Sequence, residues 1–137
     1  MLEKDVMKVE LTKKQLQDAN EKLKEEVFRL KSVIENLPGS IYWKDKAGTY
    51  FGCNTYTIEK MQSAGFEGYK SKSSFIGKTD YDIFSKDIAE RYRKNDLDVM
   101  EHGKESSLEE PITLSNGKKM VQLSTKKPLY NKKGEVS

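Results

Sequence analysis

Few side chains in this sequence could carry out catalysis or hold a metal. Among its 137 residues, His102 is the only histidine and Cys53 the only cysteine. A structural zinc site takes four ligands, mostly Cys and His, so this inventory is too small for one. A Ser-His-Asp hydrolase would need His102 as its base, but His102 precedes Gly103 at a predicted helix end, where a solvated terminal residue is expected. The sequence therefore predicts no enzymatic activity for this segment.

Gly77-Lys78-Thr79 has the residues that end a phosphate-binding loop. Such a loop needs another glycine five residues earlier, where this sequence has Lys72, and it follows a buried strand, which is not predicted here. The stretch instead predicts the start of a short helix, because Thr79 is a good N-cap and Asp80 complements the helix dipole. We therefore expect no nucleotide site at this position.

The composition is that of one modest domain with a thin core, since 34% of the residues are charged and 35% are hydrophobic, with a net charge of +3. No apolar run approaches the roughly 18 residues that span a bilayer, and the first residues lack the layout of a signal peptide. A single cysteine permits no internal disulfide, which fits a reducing compartment. We expect a cytoplasmic protein with no membrane segment.

Residues 1–37 have the spacing of a coiled coil. Apolar residues recur every seven positions, and a second series lies three residues before each of them, with no Gly or Pro before Pro38. The predicted dimer-interface positions are Val6, Val9, Leu16, Asn20, Leu23, Val27, Leu30, Ile34 and Leu37. Asn20 favours a parallel homodimer, because two Asn side chains pair across such a core. The alternative is a single amphipathic helix packed on its own domain, although the flanking positions are mostly polar.

Residues 38–137 predict a small α+β domain. The predicted elements are a hairpin over residues 40–53, a short helix capped by Asn54 or Thr55 and running to about Ala64, a loop over residues 65–74, a longer helix over residues 86–102, and two strands over residues 105–114 and 118–130. A two-residue turn at Asn116-Gly117 would join these strands and place Ile112 opposite Val121. Pro111 cannot donate to a ladder, so its strand is expected at a sheet edge.

From about Ile34 to Ser137 the sequence resembles a PAS domain, the small sensory module of bacterial signalling proteins. The resemblance rests on the order of elements and on residues 37–45, 76–84 and 115–129. The second stretch contains Gly-Lys-Thr-Asp, is the most specific, and has the form found in sensor histidine kinases. The resemblance implies a five-stranded antiparallel sheet in spatial order 2-1-5-4-3, with the helices on one face. The third strand is an edge strand in that order, in agreement with the position of the proline.

One feature departs from the family pattern. The fifth strand lies centrally in that sheet, and Ser137 stands about where it would begin, so this strand is largely missing. The two hairpins would then have open edges facing each other. We expect the natural polypeptide to continue past Ser137 toward a C-terminal output domain.

The resemblance also implies a possible ligand pocket between the sheet and the helices, although it identifies no cofactor. Haem would normally be held by a histidine on the long helix, and His102 lies at its extreme end. Photoactive flavin domains use Asn-Cys-Arg-Phe, whereas here Cys53 precedes Asn54. By position, the pocket candidates are Tyr42, Lys44, Tyr50, Asp80, Phe84, Tyr92, Leu114, Val121 and Leu123. Within a pocket, Lys44 and Asp80 are the charged pair that could bind a polar metabolite. The alternative is that all of these residues are simply part of the core.

We therefore expect a cytoplasmic sensory and dimerisation module of a signal-transduction protein, with a histidine kinase as its parent. A ligand or upstream input would shift the packing of the dimer, and the coiled coil would relay this change. One alternative is a structural dimer scaffold without ligand. Another is nucleic-acid binding through three Lys pairs at positions 118–119, 126–127 and 132–133, although lysines at strand ends commonly just keep an edge soluble.

Overall fold

A computed structural model describes residues 2–114 and 116–137. Met1 and Ser115, the latter just before the predicted Asn116-Gly117 turn, lie outside the described residues. The chain divides into two compact units, Met1–Pro38 and Gly39–Ser137. No helix within the described ranges is long and apolar enough to cross a membrane.

The first unit consists almost entirely of one helix, α1, from Leu2 to Asn36. This confirms the long N-terminal helix. None of its described residues is buried on the single chain, and the predicted interface positions are exposed, except for a half-buried Ile34. The helix ends two residues before Pro38, whose ring and missing N–H cannot continue it.

The second unit is an α+β domain, as the sequence predicts. Its elements are β1 (Tyr42–Lys44), β2 (Tyr50–Cys53), α2 (Thr55–Ser63), α3 (Lys72–Phe75), α4 (Asp80–Ile83), α5 (Lys86–His102), β3 (Ser106–Thr113) and β4 (Lys119–Lys126). The strands form two antiparallel hairpins, β1-β2 and β3-β4. Each hairpin is a separate two-stranded sheet within the described residues, so helices and side chains, rather than strand pairing, hold the two together.

Three helix boundaries follow the predicted chemistry. Asn54 caps α2 by accepting a hydrogen bond from the backbone N–H of Thr57. Thr79 caps α4 in a reciprocal capping box with Asp82. Gly103 ends α5 in the left-handed conformation, with φ of 61°, which glycine adopts without strain. These residues fix where α2 and α4 begin and where α5 ends.

Two predicted boundaries were wrong. The loop predicted over residues 65–74 contains the start of α3, because Ser71 and Ser74 form a capping box that stabilises one helical turn. The last long strand ends at Lys126 rather than residue 130, and beyond it Tyr130 forms only an isolated bridge to Val136.

The predicted register of the second hairpin was also wrong. Ile112 pairs with Met120, and Val121 pairs with Pro111. Three positions, not two, separate Leu114 from Lys118, whose backbone groups close the turn. A one-residue shift in a strand moves every side chain to the other face of the sheet. The face that β4 turns toward the helices is therefore polar.

The hydrophobic core is small and lies beside the first hairpin. Tyr50, Cys53, Ile58 and Phe75 are buried and in contact, which joins β2, α2 and α3. The rings of Tyr50 and Phe75 lie 4.3 Å apart between centroids. This apolar cluster forms one wall of the site described next.

Candidate functional site

Five charged side chains meet in the interior of the second unit, and we call them the ionic cluster. They come from five different elements: Lys44 (β1), Asp80 (α4), Asp96 (α5), Glu110 (β3) and Lys126 (β4). The cluster thus connects the two hairpins to each other and to two helices. Strand pairing does not connect the hairpins within the described residues.

The half of the ionic cluster nearest the first hairpin is centred on Asp80. Its Oδ1 accepts a hydrogen bond of 2.6 Å from the Tyr50 hydroxyl, and its Oδ2 lies 2.6 Å from the Lys44 ammonium. The ammonium also lies 4.6 Å from the centroid of the Tyr50 ring, which is a cation–π distance. Position N1 of α4, directly after the Thr79 cap, aims the carboxylate inward. Asp80 is thereby bonded through both of its oxygens.

The other half is built around Lys126. Its ammonium lies 2.9 Å from Asp96 Oδ1 and 3.0 Å from Glu110 Oε1, and 5.4 Å from the centroid of the Tyr92 ring. Asn95 donates a hydrogen bond of 3.1 Å to the same Glu110 oxygen. The remaining oxygen of Asp96, Oδ2, lies 2.8 Å from Lys44. Asp96 therefore joins the two halves.

The ionic cluster is almost dry and carries a formal charge of −1, from three carboxylates and two ammonium groups. The side chains of Asp80 and Glu110 are 2% exposed, Lys44 10%, Lys126 12% and Asp96 14%. Charges at such depth are stable only when paired and hydrogen-bonded. Each of the five forms at least two such contacts, so the pairing requirement is met internally.

Tyrosine rings surround the ionic cluster. Tyr42 stacks edge-on against Tyr50 with centroids 5.5 Å apart, and Tyr92 stacks edge-on against Phe84 at 5.2 Å. Tyr92 also donates a hydrogen bond of 3.1 Å to the Pro111 carbonyl. The site consequently combines buried charge with flat aromatic faces.

The buried tyrosines and Lys126 report the electrostatics of this site. Burial, followed by the nearby carboxylates, raises the pKa of Tyr42, Tyr50 and Tyr92 far above the value of an ordinary phenol. For Lys126, burial by itself would lower the pKa, but the attraction and hydrogen bonds of Asp96 and Glu110 outweigh it, and the pKa is raised. The lysine is therefore an ammonium ion, and all three phenols are neutral, near neutral pH.

The structure brings together six of the nine predicted pocket residues. Those at or around the ionic cluster are Tyr42, Lys44, Tyr50, Asp80, Phe84 and Tyr92. Leu114 is half-buried near the far end of the second hairpin. Val121 and Leu123 are 64% and 74% exposed, because the shifted register turns Gln122, Ser124 and Lys126 inward instead.

Asp96, Glu110 and Lys126 are the site residues that the sequence reasoning missed. The predicted buried stripe of α5 contains Ile88, Tyr92 and Val99, and Asp96 lies on the same stripe, four residues after Tyr92. A carboxylate on an apolar stripe is a signal for a buried partner. Glu110 and Lys126 had no comparable signal, because their inward orientation depends on the hairpin register.

The two residues considered first for chemistry lie apart from the ionic cluster. Cys53 is buried, and loss of hydration raises the pKa of its thiol to about 11, so it is a thiol rather than a thiolate at neutral pH. His102 is exposed at the end of α5, where its Nδ1 lies 2.8 Å from the Asp98 carbonyl. Within residues 2–114 and 116–137, no group of three or more His, Cys, Asp or Glu side chains is placed to hold a metal ion.

Comparisons with known proteins agree with this architecture. VqmA of Vibrio cholerae, a dimer described as a LuxR-type receptor and solved in the absence of its target DNA, has a similar structure with a TM-score of 0.63 and 24% identity over 80% of this chain. A structure of VqmA bound to DPO gives a TM-score of 0.61 and 23% identity over the same share. This chain covers 46% and 52% of those two chains. At these identities the similarity establishes the fold.

A sequence relative and a family profile complete the comparison. An uncharacterised protein of Sinorhizobium fredii, y4lL, is 44% identical over 48 residues, which are 35% of this chain and 6% of that protein. The profile described as the PAS fold matches residues 34–137, most of the chain and the whole of the second unit. With its α+β hairpins, its helices and this match, the chain belongs to the PAS-fold family.

Proposed function

We propose that this chain is the sensory and dimerising part of a cytoplasmic regulatory protein, and that its PAS domain senses a small polar molecule at the ionic cluster. The observation that supports the proposal most is the ionic cluster itself. It joins both hairpins to α4 and α5, so a molecule that disturbs it would move elements that strand pairing within the described residues does not hold together.

Stability alone is a poor reason for such a cluster. Replacing a buried ion pair by apolar residues of similar volume is often neutral or stabilising. The cluster nevertheless contains five charges within a core that has few large apolar side chains. Buried ionisable groups with specific charged partners are candidates for functional sites. We therefore interpret the ionic cluster as a recognition site.

Six predicted residues, with three added by the structure, form the proposed ligand contacts. They are Tyr42, Lys44, Tyr50, Asp80, Phe84, Tyr92, Asp96, Glu110 and Lys126. Aromatic faces beside fixed polar groups are the usual lining of a small-molecule site. Val121 and Leu123 are not part of this set because of their exposure.

The helix α1 is proposed to dimerise and to relay the signal. Its predicted core positions are exposed on the single chain, with Leu16 at 65% and Leu23 at 64%. Burial of these apolar side chains against a second copy of the helix would remove the free-energy cost of exposing them to water. Asn20, in the same series, would fix a parallel register. Ligand-dependent changes in the PAS domain would then reach the partner as a change of helix packing.

Two classes of output are proposed. The Gly-Lys-Thr-Asp stretch at residues 77–80 has the form found in sensor histidine kinases, which favours a kinase parent. The fold similarity to VqmA, described as a LuxR-type receptor with a target DNA, favours a DNA-binding parent. A phospho-acceptor helix or a helix-turn-helix in the sequence that flanks this segment would decide between them.

Direct nucleic-acid binding by this segment is the weaker alternative. Lys126 is buried in the ionic cluster, and Lys127 lies 3.0 Å from Glu105. The middle of the three Lys pairs is thus neutralised by carboxylates of the same chain. A gel shift with generic DNA at low salt tests this alternative, because phosphate contacts would give a band that disappears as salt is raised.

The ligand proposal is tested by thermal unfolding in the presence of a bacterial small-molecule extract. We expect the extract to raise the unfolding temperature of the wild type, because a ligand that binds only the folded state stabilises it. Lys44→Gln should abolish the response. Lys60→Gln, at an exposed lysine on α2 whose side chain bonds only Gln122 among the described residues, is the matched control and should respond normally. Equal responses in all three proteins would contradict binding at the ionic cluster, and no response in the wild type would favour a ligand-free scaffold.

A further inference from the structure

Asp96 differs from the other two carboxylates of the ionic cluster in its partners and in its exposure. Asp80 has the Tyr50 hydroxyl as a partner in addition to a lysine, and Glu110 has the Asn95 amide. Within the described residues, Asp96 is bonded only by the two lysine ammonium groups. It is also the most exposed of the five side chains, at 14%. Asp96 is therefore the carboxylate of the cluster that a molecule entering from solvent would meet first.

Two lysines from different hairpins converge on this one carboxylate. Lys44 in β1 bonds Oδ2, and Lys126 in β4 bonds Oδ1. Both lysines are anchored elsewhere, by Asp80 and Glu110 respectively, so both ammonium groups would stay in place if Asp96 turned outward. What would remain is a pair of buried ammonium groups, spaced for the two oxygens of a single carboxylate.

We propose that Asp96 occupies the place of a ligand carboxylate, and that the ionic cluster recognises a small molecule whose own carboxylate replaces Asp96 between Lys44 and Lys126. The inference rests on the proposed function, which it makes more specific by naming the chemical class of the ligand. The tyrosine faces beside the two lysines would contact the remainder of that molecule.

The balance of charge in the site favours a carboxylate ligand over a cationic ligand. Exchange of Asp96 for a ligand carboxylate leaves the formal charge of the site at −1 and keeps every lysine contact. A cationic ligand would have to displace a lysine that is held by two carboxylates. Asp96 is also the most exposed member of the cluster, at 14%, so a ligand reaches the carboxylate before it reaches either lysine.

The exchange would also change what α5 is tied to. Among its side chains within the described ranges, Asp96 alone forms ion pairs with both hairpins. A free ligand makes the same contacts without a covalent link to α5. Ligand binding would thus remove the ion pairs that tie α5 to the two hairpins, while the hydrogen bonds of Asn95 and Tyr92 to β3 remain, and that loosening is the structural change available for signalling.

The test is chemical rescue by acetate, the simplest carboxylate, in the full chain with Asp96→Ala. Urea unfolding is measured in sodium acetate, in sodium chloride of equal ionic strength and in chloride with added acetamide. We expect acetate, but not acetamide, to raise the urea midpoint of the variant, with half of the effect at a concentration at least ten-fold below that needed by the wild type. Asp98→Ala, at an exposed aspartate of α5, is the matched control and should show no acetate effect beyond that of chloride.

A second variant covers the case in which Asp96→Ala has no folded state. Asp96→Asn keeps the volume but lacks the charge that competes with acetate, and it should also respond to acetate more strongly than the wild type. Equal midpoints in acetate and acetamide for both variants would overturn the inference. If the wild type still responds to the small-molecule extract, the proposed function stands without it; if that response is absent too, both are wrong.

Discussion

Replacing Asp80 by Asn should destabilise the second unit strongly, because Asp80 is the carboxylate at the centre of the half of the ionic cluster nearest the first hairpin. One of its oxygens accepts from the Tyr50 hydroxyl and the other binds Lys44, each at 2.6 Å, and its side chain is 2% exposed. Asn has the same shape but only one acceptor oxygen, so one of these two bonds is lost. Lys44 then depends on Asp96 alone for its counter-charge.

The size of the effect follows from these contacts. A hydrogen bond to a charged group contributes about 1.5–3 kcal/mol, and Lys44 retains one carboxylate, so the loss should lie below the roughly 3–5 kcal/mol of a completely broken buried pair. We expect the free energy of unfolding to fall by about 2 kcal/mol. For a domain of this size, that corresponds to a decrease in Tm on the order of 10 °C.

Urea unfolding followed by tryptophan fluorescence measures this directly, since Trp43 is the only tryptophan and lies in β1 beside Lys44. Asp98→Asn, at an exposed position of α5, is the control and should change the free energy of unfolding by less than about 0.5 kcal/mol. An Asp80→Asn variant that is as stable as this control would refute the view that the ionic cluster holds the domain together.

Three further outcomes are expected. Tyr50 should stay protonated in an absorbance titration of the folded protein to high pH, because its folded pKa is raised above the ordinary 10.0. Its contribution to stability is complete below about pH 10 and is lost as the pH rises further. The protein should therefore unfold in alkali before Tyr50 ionises. A normal phenol titration in the folded state would contradict this. Gly52→Ala should cost about 1–3 kcal/mol, because its Cβ would overlap the Trp43 ring, whereas Gly68→Ala, which meets open space, should be nearly neutral; equal stabilities would show that the ring is free to move. Asn20→Val should raise the Tm and loosen oligomer specificity in light scattering, and a monomer in both proteins would exclude the coiled coil.

Local signals accounted for most of the fold. The end of α1 before Pro38, the cap of α2 at Asn54, the cap of α4 at Thr79 and the end of α5 at Gly103 all depend on chemistry within a few residues. Such short-range effects can be predicted directly from the sequence. The same reasoning missed α3, because a single helical turn capped by serines has too few residues to show a period.

The site depended on information that is not local. Lys44 and Asp80 could be named from the sequence, but their ion pair spans 36 residues of chain. Glu110 and Lys126 face inward only because one extra residue in the β3-β4 turn shifts the register, and the sequence gives two turns of different length similar support. Because of that one residue, the face of β4 directed at the helices carries a charged side chain where apolar side chains were expected.

The most direct test of the central claim is native mass spectrometry of the chain purified without unfolding, together with its Lys126→Gln variant, whose fold is checked by circular dichroism. If the ionic cluster is the sensory site, the wild type should carry an additional small-molecule mass, and the variant should appear at its bare sequence mass. A wild type at its bare mass, or a variant that retains the same molecule to the same extent, would contradict the account.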